Sequence, residues 1–406
     1  MDERSLSEAT EGRVAQDARA LLEACWGRPT GGPELARGLR SSRLWSRQRR
    51  LMRELVYATV RGAGAHHRDL RAGGWEGAEP VWAAWLAELV TRGLDPRRAG
   101  ELLGEPVFGH RAPPPKGWSE LAEHGGLSEA LLRRLGDLEL ASEMVLGQMQ
   151  RAPLCLRSTE RDGLLDQLES AGIQARPSRW SRDGLVLQGH PDLSPWKGRF
   201  QLQDEASQLV AELVAPPRRS LVIDLCAGAG GKSLALAARA PKGCRVLASD
   251  VRPRALKEAR RRARELGLGL KTVRPEQLEP ASAARVLVDA PCSGSGTLRR
   301  DPALRWRLDE TWLEDKLSLQ VRILDRAAQL VKPGGRLIYA TCSMLPEESQ
   351  LQLAAFLERH PDWEQMDALQ LLGGARRELL QDGCLVTSPA RHGLDGFFAA
   401  VVLRPS

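Results

Sequence analysis

The sequence predicts an α/β protein with a doubly wound, Rossmann-like core, preceded by a small α+β module and an all-α N-terminal region. In the C-terminal half, apolar runs such as LVIDL, CRVLASD, VLVDAP and GRLIYATCS alternate with helical patterns, which is typical of a parallel sheet. Residues 153–199 hold two strand-like runs, LCLRS and GLVLQG, around one helical pattern. The first hundred residues show apolar spacings of three and four, which indicate helices.

These patterns divide the chain into four parts. We predict a helical domain over residues 1–103, a connector with further helices over 104–150, a small module over 151–199 and the core over 200–406. The connector contains three consecutive prolines, Pro113, Pro114 and Pro115, which cannot propagate a helix or a sheet.

Composition narrows the class of protein. A chain of 406 residues with 42% hydrophobic and 27% charged residues is expected to form two or three globular domains. The N-terminus MDERSLSEATEGR is polar and acidic, without the apolar core of a signal peptide, and no apolar stretch reaches the length of a membrane helix, so we expect a cytoplasmic protein with no membrane partner. The seven cysteines include no CxxC pair, which argues against a zinc cluster or a disulfide framework, and nothing calls for a metal. The net charge of +7 favours a polyanionic partner such as RNA.

A glycine-rich loop follows the first predicted strand of the core. It begins like a ligand-binding turn and ends in Gly-Lys-Ser, as an ATP-binding P-loop does, but Cys226 stands where that motif requires glycine. The candidate ligand-binding residues are Cys226, Ala227, Gly228, Ala229, Gly230, Gly231 and Lys232. The pattern alone is shared by nucleotide, dinucleotide and S-adenosylmethionine sites.

An acidic residue, Asp250, stands at the end of the second predicted strand of the core. A carboxylate there accepts hydrogen bonds from ribose hydroxyls, which suits both NAD and S-adenosylmethionine. The loop and the acid together leave the choice of ligand open.

Two cysteines follow two further predicted strands. Cys292 comes after Asp289-Ala-Pro, and Cys342 lies in Thr-Cys-Ser at the end of GRLIYATCS. Because the carboxyl ends of parallel strands meet at one edge of a sheet, we expect both cysteines to face the ligand of the glycine loop. A nicotinamide dehydrogenase gives no reason for such a pair.

The motifs DLCAGAGGKS, DAPCSGSGTLRRDP, KPGGRLIYATCS and DGFF, in this order, resemble the Fmu/Sun-type (RsmB/NOP superfamily) S-adenosylmethionine-dependent RNA cytosine-C5 methyltransferases. FQLQDEASQLV resembles the family's segment leading into its class I methyltransferase core. RRLMRELVYATVRGAGAHHRDL resembles the helical NusB-like domain of the ribosomal RNA enzymes. The resemblance implies that the small module is an RRM-like RNA-binding module.

The resemblance also assigns roles. It implies that Cys342 is the nucleophile that adds to C6 of cytosine, that Cys292 assists release of the product, and that Asp289 binds the cytosine edge and contacts the cofactor. It assigns the glycine loop and Asp250 to S-adenosylmethionine. Glu276 is the available carboxylate where the family has an aspartate near the adenine, and Arg299 and Arg300 are expected to hold the RNA backbone. Ala229, Ser233 and Ala303 depart from the family's usual residues.

The resulting hypothesis is an RNA cytosine-C5 methyltransferase that acts as a monomer on small-subunit ribosomal RNA. Two alternatives stay open at this point. The substrate could be transfer RNA, or the chain could be a catalytically silent RNA-binding factor for ribosome assembly.

Overall fold

A computed structural model describes residues 1–28, 31–42, 44, 46–77, 79–105 and 107–406 of the chain. Pro106, within the predicted connector, is among the residues outside this description. The chain forms two compact units. The first comprises residues 1–151 and 297–312, and the second comprises residues 152–296 and 313–406.

The first unit is helical over the residues described. Its α-helices are α1 (Glu3–Thr10), α2 (Arg13–Cys25), α3 (Gly31–Ser41), α4 (Ser46–Ala72), α5 (Pro80–Thr91), α6 (Pro96–Leu103), α7 (Trp118–Gly125), α8 (Glu129–Arg133) and α9 (Leu138–Met149). Helix α6 shows why the sequence sets such bounds. The Asp95 side chain accepts a hydrogen bond from the Arg97 N–H, Pro96 begins the helix, and Gly104 ends it in the left-handed conformation.

The core of this unit contains the tryptophans that the sequence places at helical spacing. Trp75, Trp82 and Trp85 are all buried, and the Trp85 indole N–H donates to the Ala9 carbonyl at 2.8 Å. All three belong to the hydrophobic core of the helical unit.

Residues 297–312 belong to the helical unit, although the sequence predicts one continuous core over 200–406. Within this segment Ala303 is fully buried in the helical core, and the Trp306 ring lies 5.9 Å from that of Trp26. The buried Arg305 guanidinium donates to the carbonyls of Gly125 at 2.7 Å and Arg61 at 3.2 Å. Alternating strands and helices carry no sign of this exchange, because it depends on contacts distant in sequence.

We expect Arg305→Met to lower the free energy of unfolding of the helical unit by about 2–4 kcal/mol, because buried carbonyls lose charged hydrogen-bond donors. Chemical denaturation followed by tryptophan fluorescence measures this, since most of the tryptophans lie in the helical unit. Arg97→Met, at an exposed position of α6, is the matched control. Equal midpoints for the two variants would contradict the prediction.

The second unit begins with a small antiparallel sheet. Its strands are β1 (Leu154–Arg157), β2 (Ala175–Pro177), β3 (Gly184–Leu187) and β4 (Gln201–Leu202), in the order β2-β3-β1-β4, with helix α10 (Arg161–Ser170) after β1. Leu164 and Leu168 of α10 are fully buried in a small core with Leu156 and Leu185 of the sheet. This is the α+β arrangement that the sequence indicates for residues 151–199.

The larger sheet runs in the order β11-β12-β13-β9-β8-β5-β6-β7, and β10 pairs with β13. Its strands are β5 (Leu221–Asp224), β6 (Arg245–Ser249), β7 (Lys271–Val273), β8 (Ala283–Asp289), β9 (Val331–Thr341), β10 (Glu364–Met366), β11 (Leu380–Gln381), β12 (Cys384–Thr387) and β13 (Phe397–Leu403). Strands β5 to β9 pair in parallel, and β13 pairs antiparallel to β9. The predicted Rossmann-like parallel sheet is confirmed.

Helices accompany this sheet. They are α11 (Glu205–Val214), α12 (Gly231–Ala238), α13 (Pro253–Glu265), α14 (Glu310–Leu330), α15 (Gln350–Arg359), α16 (Leu369–Leu372) and α17 (Pro389–His392). Strand residues contribute to two buried clusters, one with α11 and α12 and one with α14 and α15, which explains their continuous apolar runs. None of the helices in the described ranges is long and apolar enough to cross a lipid bilayer.

Candidate active site at the carboxyl edge of the sheet

The glycine loop connects β5 to α12. Gly228 and Gly230 have φ angles of +55° and +82°, which side chains rarely tolerate, and a Cβ on Gly230 would lie 2.9 Å from the Ala259 Cβ. The Gly230 N–H donates to the Ala227 carbonyl at 2.8 Å, so the loop folds into a tight turn before the helix. Gly230 therefore requires glycine for both conformation and space, and Gly228 requires it for conformation.

Asp250, directly after β6, is tied to this loop. Its carboxylate accepts the Gly228 N–H at 2.8 Å, the Arg252 N–H at 2.8 Å and the Arg252 guanidinium at 3.0 Å. Burial disfavours the charged form, but the hydrogen bonds from Arg252 and Gly228 outweigh it and lower the pKa of Asp250. The structure thus brings together the loop and the acid that the sequence pairs.

Asp224 ends β5 beneath the loop. It is 1% exposed, and its Oδ2 accepts a hydrogen bond from the Ser233 hydroxyl at 2.5 Å, whereas its Oδ1 has no protein partner. Burial raises the pKa of this carboxyl group to about 7. A polar atom of this kind, buried below a glycine turn, fits a site that holds a polar ligand.

This raised pKa predicts a pH dependence of stability. Burial disfavours the ionised form, so the stabilising effect of neutral Asp224 is complete below about pH 4 and is lost as the pH rises to about 7. Asp224→Asn, which stays neutral, should gain about 3–4 kcal/mol over the wild type across this interval. Urea titrations between pH 4 and pH 8 measure the difference, with the exposed Asp362→Asn as control. Parallel pH profiles for wild type and Asp224→Asn would refute the prediction.

The two predicted cysteines meet at the ends of neighbouring strands. Strand β8 ends at Asp289 and pairs in parallel with β9, which ends at Thr341, and Cys292 and Cys342 follow them. Their Sγ atoms lie 3.3 Å apart and both side chains are partly accessible. The hydrogen bond with Cys342, and then burial, raises the pKa of Cys292 well above that of a free thiol. A thiolate at Cys292 is therefore disfavoured.

Asp289 ends β8, three residues before Cys292, and pairs with Lys232 at the start of α12. The Lys232 Nζ is 2.6 Å from the Asp289 Oδ2 and 5.1 Å from the centre of the Phe397 ring, which belongs to the DGFF motif. Lys232 is 7% exposed, whereas about a third of the Asp289 side chain is accessible. Lys232 therefore links the glycine loop to the cysteine strands.

Arg299, Arg300 and Glu276 are the three other residues to which the sequence assigns a binding role. Arg299 is 3% exposed and lies in the helical unit, where its N–H donates to the Gln148 side chain at 2.8 Å. The expectation that Arg299 holds RNA is wrong for this conformation, because a buried side chain cannot reach a phosphate. Arg300 is exposed but also belongs to the helical unit, and Glu276 is exposed in a short 3₁₀ helix after β7, so their roles stay predictions.

Cys226 belongs to the loop without resembling a nucleophile. Burial raises the pKa of its thiol far above the ordinary value, and the nearby carboxylates of Asp224, Asp289 and Asp250 add to the effect. The sequence-based interpretation that the reacting thiol lies elsewhere agrees with this environment. The sequence did not assign roles to Glu348, Gln320 and Arg252. A buried glutamate or glutamine has no local signature in the sequence.

Comparison with known proteins agrees with this geometry. Residues 211–403 match the family model of the 16S rRNA methyltransferase RsmB/F. This part of the chain is therefore similar to an RsmB/F-type methyltransferase domain. The chain is 32% identical over 276 residues to the ribosomal RNA small subunit methyltransferase B of Shewanella oneidensis, covering 64% of this chain and 63% of that protein. It is 35% identical over 269 residues to the Salmonella arizonae protein of the same name, covering 63% and 60%.

The chain spans about three-fifths of the length of these relatives. Among solved structures, PH0851 superposes with a TM-score of 0.72 at 22% identity, covering 99% of both chains. A methyltransferase homologue from Pyrococcus horikoshii has a TM-score of 0.59 at 24% identity, covering 71% of this chain and 98% of that one. These likenesses confirm the fold. The RsmB/F match begins at residue 211, so the NusB-like character of the N-terminal helices stays a prediction.

The cofactor of the RsmB/F-type methyltransferase domain is S-adenosylmethionine, and the residues present fit it. Gly228 and Gly230 leave room for close approach to the backbone, Asp250 supplies an acceptor for ribose hydroxyls, and Asp224 leaves a buried acceptor below the turn. No group of three or more potential metal ligands occurs among the residues described.

Proposed function

We propose that this protein transfers a methyl group to C5 of a cytosine in RNA, with small-subunit ribosomal RNA as its substrate. The observation that carries the proposal is the 3.3 Å separation of the Cys292 and Cys342 sulfurs at the edge of the sheet that holds the glycine loop and Asp250. One buried thiol would be ordinary packing. Two partly accessible thiols in contact at a ligand-binding edge support a covalent mechanism.

Cytosine C5 needs such activation because it is a poor carbon nucleophile. S-adenosylmethionine, when bound, supplies an electrophilic methyl group. In the proposed reaction the Cys342 thiolate forms a bond to C6, the C5=C6 double bond opens, and its electron pair makes C5 nucleophilic. After C5 is methylated, a base removes the C5 proton, the double bond re-forms, and the C6–S bond breaks to return Cys342 as a thiolate.

The surrounding residues support these steps. The raised pKa of Cys292 disfavours its thiolate, which supports Cys342 as the attacking sulfur. Asp289 projects beside the cysteines and would hydrogen-bond the N3/N4 edge of the base, while Lys232 fixes its carboxylate. The base must leave its stack to reach these groups, which single-stranded or loop RNA permits at low cost.

The names of the curated relatives and the net charge of +7 support ribosomal RNA as the substrate. The test is bisulfite sequencing of total RNA from a deletion strain and from the same strain carrying the gene. We expect one cytosine of small-subunit ribosomal RNA to lose its methyl mark and to regain it. A lost site in transfer RNA would replace the proposed substrate, and an unchanged methylation map would overturn the function.

The silent assembly factor is separated from the enzyme by two measurements on the purified protein. Calorimetry with S-adenosylmethionine, followed by incubation with labelled cofactor and small-subunit ribosomal RNA, should show binding and incorporation of label at C5 of cytosine. Absence of cofactor binding would favour the silent factor.

A further inference from the structure

Glu348 lies beside the cysteine pair and has no role in the reaction described so far. It ends the short 3₁₀ helix Pro346–Glu348 that follows Cys342, and it is completely buried. Acidic side chains are rarely buried to this degree unless their oxygens are engaged. Its contacts therefore indicate what its carboxylate does.

The carboxylate holds the loop that carries Cys292. The Glu348 Oε1 accepts the Ser293 N–H at 2.8 Å and the Gln320 side-chain amide at 3.0 Å. The same Gln320 amide donates to the Pro291 carbonyl at 3.0 Å. The peptide groups on both sides of Cys292 are thus held by two side chains, which we call the Glu348–Gln320 clamp.

The clamp is itself held in place. The Tyr339 hydroxyl, fully buried in β9, donates to the Glu348 carbonyl at 2.7 Å and lies 3.3 Å from the Gln320 Oε1. The Gln352 side-chain amide also lies 3.3 Å from this Gln320 oxygen. The position of the clamp is therefore set by the strand that leads to Cys342.

A second set of contacts ties the two cysteine segments together. The hydroxyl of Ser343, next to Cys342, lies 3.1 Å from that of Ser293 and 3.0 Å from that of Ser295. The Gly296 N–H donates to the Cys342 carbonyl at 3.0 Å. Hydroxyl contacts are directional but neutral, whereas the clamp adds a carboxylate at the peptide next to the Cys292 thiol.

The clamp also has an electrostatic effect. After the hydrogen bond with Cys342 and burial, the Glu348 carboxylate contributes to the raised pKa of Cys292. A negative charge disfavours a thiolate at Cys292. Because the Glu348 Oε2 has no protein hydrogen-bond partner, substitution of this oxygen changes charge without breaking a contact that the structure shows.

We propose that Glu348 is a positioning residue that sets the geometry of the Cys292 loop against Cys342. The inference rests on the proposed function for its catalytic consequence, but the environment of the Cys292 thiol can be measured without turnover.

Two substitutions separate geometry from charge. Glu348→Ala removes the acceptor of the Ser293 N–H, so we expect kcat for methyl transfer to fall about 100-fold, as for a small misplacement of a reacting group. A covalent protein–RNA adduct should accumulate, because Cys292 no longer assists release. Glu348→Gln retains a carbonyl acceptor for Ser293 and should restore most of the rate and prevent the adduct.

Glu348→Gln should nevertheless alter the thiol. The rate of iodoacetamide labelling at Cys292, measured by peptide mass spectrometry from pH 6 to pH 11, should show a titration at lower pH than in the wild type, because the negative charge of Glu348 is absent. Glu358→Gln, an exposed substitution with the same change of charge, is the control and should leave the labelling profile and kcat unchanged.

Cofactor affinity separates the clamp from general unfolding. Calorimetry should give the same S-adenosylmethionine Kd, within about twofold, for the wild type and both Glu348 variants, because the glycine loop and Asp250 do not contact Glu348 through any hydrogen bond described above. If Glu348→Ala binds cofactor normally and keeps the wild-type rate, adduct level and labelling profile, the inference is overturned. An inactive wild type with the expected labelling shifts would refute the proposed function and leave the clamp standing.

Discussion

Replacing Cys342 by alanine should lower methyl transfer to RNA by at least about 1000-fold, because the bond that activates C5 cannot form. Cys342 directly follows β9, the strand paired with the one that ends at Asp289, and its Sγ is 3.3 Å from that of Cys292. Its loss removes the nucleophile and leaves the glycine loop and Asp250 intact. Transfer of label from S-adenosylmethionine to small-subunit ribosomal RNA measures the effect.

Cofactor binding provides the internal control for this variant. The S-adenosylmethionine Kd should stay within about twofold of the wild type, since the lost interaction is made with the base during reaction. Cys244→Ala, at a partly buried cysteine packed against the core, should retain the wild-type rate. Full activity in Cys342→Ala would exclude Cys342 as the nucleophile and would therefore contradict the proposed covalent mechanism.

Replacing Cys292 by alanine should slow turnover and, unlike the loss of Cys342, should cause a covalent protein–RNA complex to accumulate. The Cys342–C6 bond still forms, but the neighbouring thiol that assists release is missing. We expect a band that resists denaturing electrophoresis, contains RNA and is absent when the cofactor is omitted. The rate should fall by about 100-fold or more.

The double variant identifies the sulfur in this complex. Cys292→Ala combined with Cys342→Ala should form no adduct, because both candidate nucleophiles are gone. If Cys342→Ala alone accumulated the adduct and Cys292→Ala did not, the two assignments would have to be exchanged. The 3.3 Å contact makes this control necessary, since a base bound next to the pair would lie close to both sulfurs.

Much of the site follows from the sequence. The apolar run of β5 and the glycines after it predict a ligand-binding turn, and parallel strands bring Asp250, Cys292 and Cys342 to the same edge. The alternation of strands and helices predicts that each of these residues lies at the end of a strand. The carboxyl ends of parallel strands lie at the same edge of a sheet, so the sequence is enough to predict that these residues are neighbours.

Other features depend on contacts that no local pattern encodes. Arg299 appears in the sequence as a basic loop residue, yet its side chain is buried. Like the rest of residues 297–312, it belongs to the helical unit. Glu348 appears as a polar residue after a strand, yet it is completely buried and holds the Ser293 N–H. Burial of a charged group is decided by which distant groups surround it, and these are set only when the chain has folded.

Local patterns are enough to predict the fold class, the glycine turn, the acid after β6 and the two strand-end cysteines, because each depends on local periodicity and on the direction of parallel strands. Long-range packing sets the separation of the two sulfurs, the pairing of Lys232 with Asp289 and the clamp on the Cys292 loop. These depend on distances of a few ångströms between segments far apart in the chain, which packing fixes and residue spacing does not.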